Sequence, residues 1–192
     1  MKKLIIVDFQ YDFCEPNGSL YVPGAEKAKE NIINAINSGI YDEIVMTVDW
    51  HTIKDKSFKC NGGQWPVHCV QFSHGAAIDQ DIMASVIYKN IPYCVIKKGM
   101  NSAIEEYGAF SKFSKINDAD NADGCIGYAF CEEPSDDAFC FHKNIEYDIC
   151  GLAGDYCVFE TYKNICKLNG INVTPLYDCM AFIGDPFNYN ER

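Results

Sequence analysis

The segment CGLAGDYCV, residues 150–158, follows an apolar, strand-like run at residues 145–149 and leads into a helical pattern that continues to Cys166. A thiol on the first turn of a helix lies at the positive end of the helix dipole, which lowers the thiol pKa. The small residues before Cys157 leave room for backbone N–H groups to point at a bound oxyanion. The segment therefore predicts a strand–turn–helix unit that carries a cysteine nucleophile for acyl transfer.

The composition indicates one acidic globular protein. Its 192 residues are 48% hydrophobic and carry a formal net charge of −11, and a chain of this length can bury a sizeable core. No stripe of Lys and Arg is present to neutralise phosphates, so we expect no nucleic-acid binding. The first apolar run ends at Asp8, too early for a signal peptide, and no window approaches a transmembrane span. We therefore expect a cytoplasmic protein that does not bind membranes.

The eleven cysteines are interpreted as free thiols rather than as a disulfide framework. Their number is odd, the chain is not short, and no CxxC pair indicates a zinc ribbon or a thioredoxin-like motif. Cysteines in apolar strand or helix patterns are typical of small buried hydrophobic residues; these are Cys94, Cys150, Cys166 and Cys179. Cys157 differs from them because of its position at a predicted helix start.

Apolar runs alternate with helical patterns along the chain. Strands are predicted at residues 3–8, 43–49, 93–97, 145–150 and 172–177, and helices at 25–38, at 79–88 and from 157 to 168. Strands that alternate with helices form a doubly wound, mostly parallel α/β sheet with helices on both faces, a Rossmann-like three-layer fold. No repeat or linker divides the chain, so we expect a single domain over residues 1–192, with an irregular acidic insertion at about 114–142.

Four functional groups follow four of the predicted strands. Asp8, Asp49, Lys98 and Cys157 each stand at or just beyond the carboxyl end of a strand, where open α/β sheets bind ligands. No histidine stands in an obvious partner position, so Asp8 is the candidate base and proton shuttle, and Lys98 the cation that stabilises the thiolate. Lys97 is the rival of Lys98, since strand alternation lets only one of them face the site. Lys98 is preferred because the chain leaves the sheet directly after it.

Asp49, His51 and His68 form a second cluster of candidate functional residues. Residues i and i+2 at a strand end project to the same side, and a loop histidine can close over them. One carboxylate and two imidazoles suit Zn²⁺, Fe²⁺ or Mn²⁺ and leave coordination positions open. An apolar slot is the expected pocket for a flat small molecule. The candidates for enclosing a flat ring are Phe13, Trp65 and Tyr107, but 14% of the chain is aromatic, and by residue type alone each of them is as often part of the core.

These motifs resemble those of the nicotinamidases within the isochorismatase-like cysteine hydrolases. The segments VDFQYDF (7–13), DWH (49–51), WPVHCVQ (65–71), YGAF (107–110) and GLAGDYCV (151–158) occur in the family's order, and the resemblance covers about residues 3–180. It implies an isochorismatase-like fold and an Asp–Lys–Cys triad, which fits Asp8, Lys98 and Cys157. The implied reaction is hydrolysis of nicotinamide to nicotinate and ammonia through a cysteine thioester, in NAD salvage.

The resemblance also implies details of the site. A cis peptide bond between Leu152 and Ala153 would turn the amide N–H groups of Ala153 and Cys157 inward as an oxyanion hole. One divalent metal, Zn²⁺ ahead of Fe²⁺ or Mn²⁺, would be bound by Asp49, His51 and His68 and would hold the pyridine nitrogen of the substrate. A fourth protein ligand varies within the family, and the open candidates are Gln64, Ser57 and Cys60.

Two other functions stay open. A hydrolase of another small amide, such as an N-carbamoyl or ureido compound, usually lacks the Asp49, His51 and His68 set. A catalytically silent metal-binding or interaction module would hold Cys157 out of reach of Asp8. The chain departs from the family pattern at the position before Asp155, which is glycine instead of a hydroxyl residue, and in the length of the acidic insertion. That insertion is a candidate lid or homo-oligomer contact.

Overall fold

The computed structural model describes residues 1–110, 115–117 and 139–189. Its strands are β1 (Lys2–Val7), β2 (Glu43–Asp49), β3 (Tyr93–Lys98), β4 (Lys115–Asn117), β5 (Cys140–His142), β6 (Glu146–Leu152) and β7 (Val173–Ala181). Five of them form a sheet in the order β3-β2-β1-β6-β7, in which every neighbouring pair is parallel. The short strands β4 and β5 pair separately. The predicted α/β fold with a parallel sheet is confirmed.

Helices cover both faces of this sheet. They are α1 (Tyr11–Cys14), α2 (Ala25–Asn37), α3 (Gln80–Tyr88) and α4 (Cys157–Cys166). Successive side chains of a strand point to opposite faces, so Leu4 and Ile6 join the core under α2 and α3, whereas Ile5 and Val7 join the core under α4. This two-sided burial explains why β1 is a continuous apolar run in the sequence.

The predicted elements agree with the structure except near their ends. β2 has the predicted bounds, but β7 continues to Ala181, four residues beyond its predicted end. The four-residue helix α1 was not predicted, because it is too short to show a helical period. Cys94, Cys150 and Cys179 are buried as expected, whereas Cys166 is exposed at the end of α4, so its predicted burial was wrong. Most of the predicted insertion at 114–142 lies outside the described residues.

The carboxyl ends of β1, β2, β3 and β6 lie side by side at one edge of the sheet. The paired residues Asp49 and Lys98 end β2 and β3, and Val7 and Gly151 pair near the ends of β1 and β6. Asp8 follows β1 directly, and α4 begins shortly after β6. The parallel arrangement therefore collects the predicted functional residues at this edge. Among the described residues, no helix has the length and apolar character needed to cross a membrane.

Candidate active site

Asp8, Lys98 and Cys157 meet at the carboxyl edge of the sheet, where all three are buried. The Nζ atom of Lys98 lies 2.7 Å from Oδ2 of Asp8 and donates to Sγ of Cys157 over 3.6 Å. A carboxylate oxygen of Asp8 and the Cys157 sulfur are within 4.8 Å of each other. The strand register places Lys98 in this cluster, whereas the ammonium of Lys97 lies over the ring of Trp50 at 4.9 Å.

Asp8 is held in a fixed orientation by its neighbours. The hydroxyl of Thr47 on β2 donates to Oδ1 of Asp8 over 2.7 Å, and the Asp8 amide donates to the Thr47 carbonyl over 3.0 Å. The backbone of Asp8 has a φ of 50°, a left-handed conformation that side chains other than glycine adopt at a cost. Such strain persists where surrounding contacts fix the residue, and here the carboxylate lies beside Lys98 and Cys157.

The electrostatics of the cluster differ from the prediction for Cys157. Burial raises the pKa of the Cys157 thiol well above its usual value, more than the Lys98 ammonium lowers it. The predicted lowering by the helix terminus was therefore wrong, because the sulfur is far less hydrated than a thiol on an exposed helix. Burial also raises the pKa of Asp8. Burial alone would lower the pKa of Lys98, but Asp49 and Asp8 raise it well above the usual value, so Lys98 stays charged.

The turn between β6 and α4 reverses the chain without a cis peptide bond. The bond between Leu152 and Ala153 is trans, so the cis bond expected there was wrong. The reversal uses two residues with positive φ instead, Gly151 at 126° and Ala153 at 24°. A Cβ on Gly151 would lie 2.1 Å from the carbonyl oxygen of Val7, so only glycine fits this close approach to β1.

The amide groups of Ala153 and Cys157 are available to a ligand. In the described part of the chain, neither N–H donates to a backbone carbonyl. Both residues line the same pocket, and Cys157 is the first residue of α4, where helix geometry leaves the N–H without an internal partner. Unpaired amides at the start of a helix can stabilise negative charge on a bound oxygen.

Asp49, His51 and His68 lie beside this triad, with their ligand atoms within 4.8 Å of one another. Oδ2 of Asp49 is 3.5 Å from Nε2 of His51 and 3.9 Å from Nε2 of His68, while Oδ1 of Asp49 is 2.5 Å from the Lys98 ammonium. One carboxylate thus faces the lysine with one oxygen and the two histidines with the other. The donor set of one oxygen and two nitrogens, all buried, fits a divalent ion such as Zn²⁺, Fe²⁺ or Mn²⁺.

The outer nitrogens of both histidines have partners that fix the rings. Nδ1 of His51 is 3.1 Å from Oδ2 of Asp55, and Nδ1 of His68 is 2.8 Å from the carbonyl oxygen of Pro66. Partners of this kind leave Nε2 for a metal and set its orientation. Burial lowers the pKa of His68, which favours the neutral form that binds metals. Asp55 was not singled out in the sequence, although a carboxylate four residues after a candidate ligand is a usable signal.

Ser57 is the candidate for the fourth metal contact that the structure supports best. Its hydroxyl is buried without a hydrogen-bond partner among the described residues and lines the same pocket as the three candidate metal ligands. Its neighbour Phe58 packs against the rings of His51 and His68, at 5.5 and 5.3 Å between centroids. The other two candidates, Cys60 and Gln64, are exposed.

Aromatic side chains enclose the space in front of Cys157. Phe13 packs against His68 at 5.4 Å, and Trp65 and Tyr107 stand together on the same pocket. The structure therefore brings together the three aromatic residues predicted to surround a flat ring. It adds Tyr156, which lies 5.2 Å from Trp65 and was missed because it stands inside the nucleophile motif.

Gly99 leaves room for His51, and its replacement tests whether His51 must keep its position for the candidate metal site to bind Zn²⁺. A Cβ at position 99, where φ is 69°, would lie 2.6 Å from Cε1 of His51. We expect Gly99→Ala to displace the ring and to weaken Zn²⁺ binding about 10- to 100-fold, measured by competition with a chromophoric chelator. Gly39→Ala is the matched control, because its φ is 74° but nothing lies near the added methyl group. Equal Zn²⁺ affinity in the two variants would contradict this prediction.

Sequence comparison with known proteins finds nicotinamidases that are similar to this chain over nearly its whole length. No protein-family model matches the chain. The nicotinamidase of Saccharomyces cerevisiae is 31% identical over 96% of this chain and 90% of its own length. The nicotinamidase/pyrazinamidase of Mycobacterium tuberculosis is 29% identical over 94% of this chain and 87% of its own.

Solved structures show the same fold. The L. infantum PnC1 protein in complex with nicotinate is 31% identical and superposes with a TM-score of 0.71, covering 96% of this chain and 83% of that chain. The pyrazinamidase of Pyrococcus horikoshii in complex with zinc is 27% identical, with a TM-score of 0.64 and coverage of 95% and 87%. These relatives are similar to the chain over nearly its whole length.

Proposed function

The chain belongs to the nicotinamidase family of the isochorismatase-like superfamily, and on that premise we propose that it hydrolyses nicotinamide to nicotinate and ammonia, with Cys157 as nucleophile. The observation that carries the proposal is the position of Lys98. Its ammonium contacts the carboxylate of Asp8 and the sulfur of Cys157. The same ammonium contacts Asp49, one of three clustered metal ligands.

In the first half-reaction, Asp8 removes the thiol proton as the sulfur attacks the carboxamide carbon. The raised pKa of Cys157 means that it rests as a thiol, so the proton must be transferred during the attack. The raised pKa of Asp8 makes this carboxylate a stronger base than an exposed one. The amides of Ala153 and Cys157 stabilise the negative oxygen of the tetrahedral intermediate. Asp8 then gives the proton to the leaving nitrogen, and ammonia departs from the thioester.

In the second half-reaction, water attacks the thioester carbon. Asp8, again a carboxylate after ammonia has left, takes a proton from the water. The bond between carbon and sulfur breaks, Asp8 returns its proton to the sulfur, and the acid product leaves and ionises to nicotinate. Lys98 keeps its charge throughout and offsets the negative charge that moves between Asp8 and the sulfur.

Asp49, His51 and His68 would hold one divalent ion, for which we propose Zn²⁺, and Ser57 would supply a neutral oxygen beside it. When bound, the ion supplies a Lewis-acidic position for the pyridine nitrogen of the substrate. Phe13, Trp65 and Tyr107 bind the ring of the substrate and hold its carboxamide in front of Cys157. The nine cysteines in the described residues are free thiols, and we propose a reducing, cytoplasmic location.

Both alternative functions are less well supported by this geometry. A hydrolase of N-carbamoyl or ureido compounds would not need the clustered Asp49, His51 and His68. A silent module would not need Cys157 within 4.8 Å of a carboxylate oxygen of Asp8. The proposal is tested by measuring ammonia released from nicotinamide and from an N-carbamoyl amino acid, with metal analysis of the same sample. Turnover of the N-carbamoyl compound alone would reject the proposal.

Metal removal should separate the role of the ion from that of the thiol. We expect a chelator to lower kcat/KM for nicotinamide by at least about 100-fold, because an ion that binds and polarises a substrate contributes several kcal/mol. Added Zn²⁺ should restore the activity. Benzamide, which lacks the ring nitrogen, is the matched substrate, and its slower hydrolysis should depend much less on the metal. An equal loss for both amides would contradict the proposed contact with the ring nitrogen.

A further inference from the structure

The last described segment, residues 182–189, packs over the turn that carries the nucleophile, and we call it the C-terminal brace. The hydroxyl of Tyr189 donates to the carbonyl oxygen of Gly154 over 2.5 Å. On its other side, the Gly154 amide donates to the carbonyl of Ala181, the last residue of β7, over 2.8 Å. The backbone N–H and C=O groups of Gly154 are therefore both hydrogen-bonded, one to the end of β7 and the other to the C-terminal brace.

A second contact binds the next residue of the turn. The carboxylate of Asp155 accepts the amide N–H of Ile183 over 3.0 Å and that of Gly184 over 2.8 Å. A carboxylate that accepts two backbone N–H groups forms charge-assisted hydrogen bonds, which are stronger than neutral ones. The turn and the brace are thus joined at two consecutive positions.

The brace approaches the turn closely because position 154 is glycine. A Cβ on Gly154 would lie 2.7 Å from the ring of Phe182. The departure from the family pattern at this position therefore has a structural consequence: the space that a side chain would fill is occupied by an aromatic ring of the brace.

Tyr189 is fixed by burial. Its side chain is only 3% exposed, so water cannot replace its hydrogen bond to Gly154. Four aromatic rings surround it at centroid distances of 5.0 to 5.7 Å; they belong to Phe159, Tyr162, Tyr177 and Phe187. The hydroxyl that meets the turn is therefore carried by a rigid cluster rather than by a loose chain end.

The residue before this contact is strained. Ala153 has a φ of 24°, a conformation that persists only where surrounding contacts enforce it. The carbonyl of Ala153 accepts the amides of Tyr156 and Val158. The adjacent Gly154 is bound by Ala181 of β7 and by Tyr189. Ala153 also supplies one of the two amides assigned above to the oxyanion hole.

We propose that the C-terminal brace holds the oxyanion hole in its working geometry and that Tyr189 is a positioning residue for the reaction. The inference rests on the proposed function. Without the Tyr189 hydroxyl, the turn relaxes toward an unstrained backbone, and the Ala153 amide rotates away from the oxygen of the tetrahedral intermediate. Substrate binding is largely unaffected, because the ring is held by the aromatic residues and the metal site.

The test is Tyr189→Phe, compared with Tyr162→Phe. Tyr162 lies in the same aromatic cluster, 5.0 Å from Tyr189, but its hydroxyl meets Cys166 on its own helix. Both variants lose one phenolic hydroxyl. We expect Tyr189→Phe to lower kcat for nicotinamide about 10- to 100-fold with KM changed less than about twofold, whereas Tyr162→Phe keeps the wild-type kcat. A kcat for Tyr189→Phe equal to that of Tyr162→Phe would overturn the inference.

Amide hydrogen exchange at residues 153–157, followed by mass spectrometry, gives a readout that does not require turnover. Exchange should be faster in Tyr189→Phe than in Tyr162→Phe. Equal protection from exchange in the two variants would overturn the inference, whatever substrate the protein hydrolyses. If the wild-type protein does not hydrolyse nicotinamide, only the proposed function is rejected.

If Tyr189→Phe does not fold, Asp155→Asn provides the second variant, because the side-chain amide of asparagine has only one oxygen and cannot accept both N–H groups as the carboxylate does. It should show the same loss of kcat and protection, and unchanged values would overturn the inference.

Discussion

Replacement of Cys157 by alanine should lower kcat for ammonia release from nicotinamide by at least about 1,000-fold. Removal of a nucleophile leaves only the weak catalysis that binding and oxyanion stabilisation supply to direct attack by water. The fold should be preserved, since the change deletes one sulfur atom at the first turn of α4. Metal content should also be preserved, because Asp49, His51 and His68 keep their own supporting partners. The measurements are a coupled ammonia assay, circular dichroism and metal analysis.

Cys166→Ala is the matched control for this prediction. Cys166 ends the same helix but is exposed, so its removal should leave kcat within about twofold of the wild-type value. The covalent intermediate should also be detectable by mass spectrometry. Wild-type protein quenched during turnover should carry the added mass of a nicotinoyl group, and Cys157→Ala should not. Near-normal activity of Cys157→Ala would reject the assignment of the nucleophile.

The sequence was sufficient to predict which residues meet, because their positions follow from topology. In a parallel sheet, the carboxyl ends of the strands share one edge, so Asp8, Asp49, Lys98 and Cys157 were expected at the same edge once the strands were recognised. The strand order in the structure then places them side by side. The two-residue period of a strand lets only one of Lys97 and Lys98 face the site, and Lys98 was chosen because the chain leaves the sheet directly after it. Phe13, Trp65 and Tyr107 required the motif resemblance as well, since aromatic residues are common throughout the chain.

Features that depend on burial and exact backbone angles were not predictable. The helix-terminus argument for a low pKa at Cys157 ignored burial, which depends on packing by residues distant in the sequence. The expected cis bond before Ala153 was wrong because Gly151 and Ala153 reverse the chain through positive φ values. The contact of Tyr189 with the nucleophile turn joins residues 35 positions apart, and no sequence pattern connects them.

In the proposed mechanism, Lys98 serves both catalysis and the stability of the fold. Its ammonium lies between two fully buried carboxylates, 2.7 Å from Asp8 and 2.5 Å from Asp49. Burial of both acids in their ionised forms is tolerated only because this cation offsets their charge. The arrangement that prepares Asp8 for proton transfer would therefore destabilise the fold if the lysine were absent.

We expect Lys98→Met to lower the free energy of unfolding of the metal-free protein by about 3–5 kcal/mol at pH 8, the usual cost of leaving a buried charge unpaired. Lys97→Met is the matched control, because it removes the same charge one position along β3. Its ammonium lies over the ring of Trp50, and a cation–π contact of this kind contributes about 1 kcal/mol. The decrease in the free energy of unfolding should therefore be much smaller than for Lys98→Met. Urea denaturation of both variants measures the difference.

The pH dependence of the stability lost in Lys98→Met identifies the cause of that loss. Burial already raises the pKa of Asp8, and without Lys98 it would rise further above its value in the unfolded chain. The pKa of Asp49 would also rise, because Lys98 is the main charge that lowers it. The folded state would then bind more protons than the unfolded state, so the stability of Lys98→Met should increase as the pH falls from 8 to 5. The gap between the Lys98 and Lys97 variants should narrow over the same range. A gap that is constant with pH would show that lost packing, rather than two unpaired carboxylates, destabilises the protein.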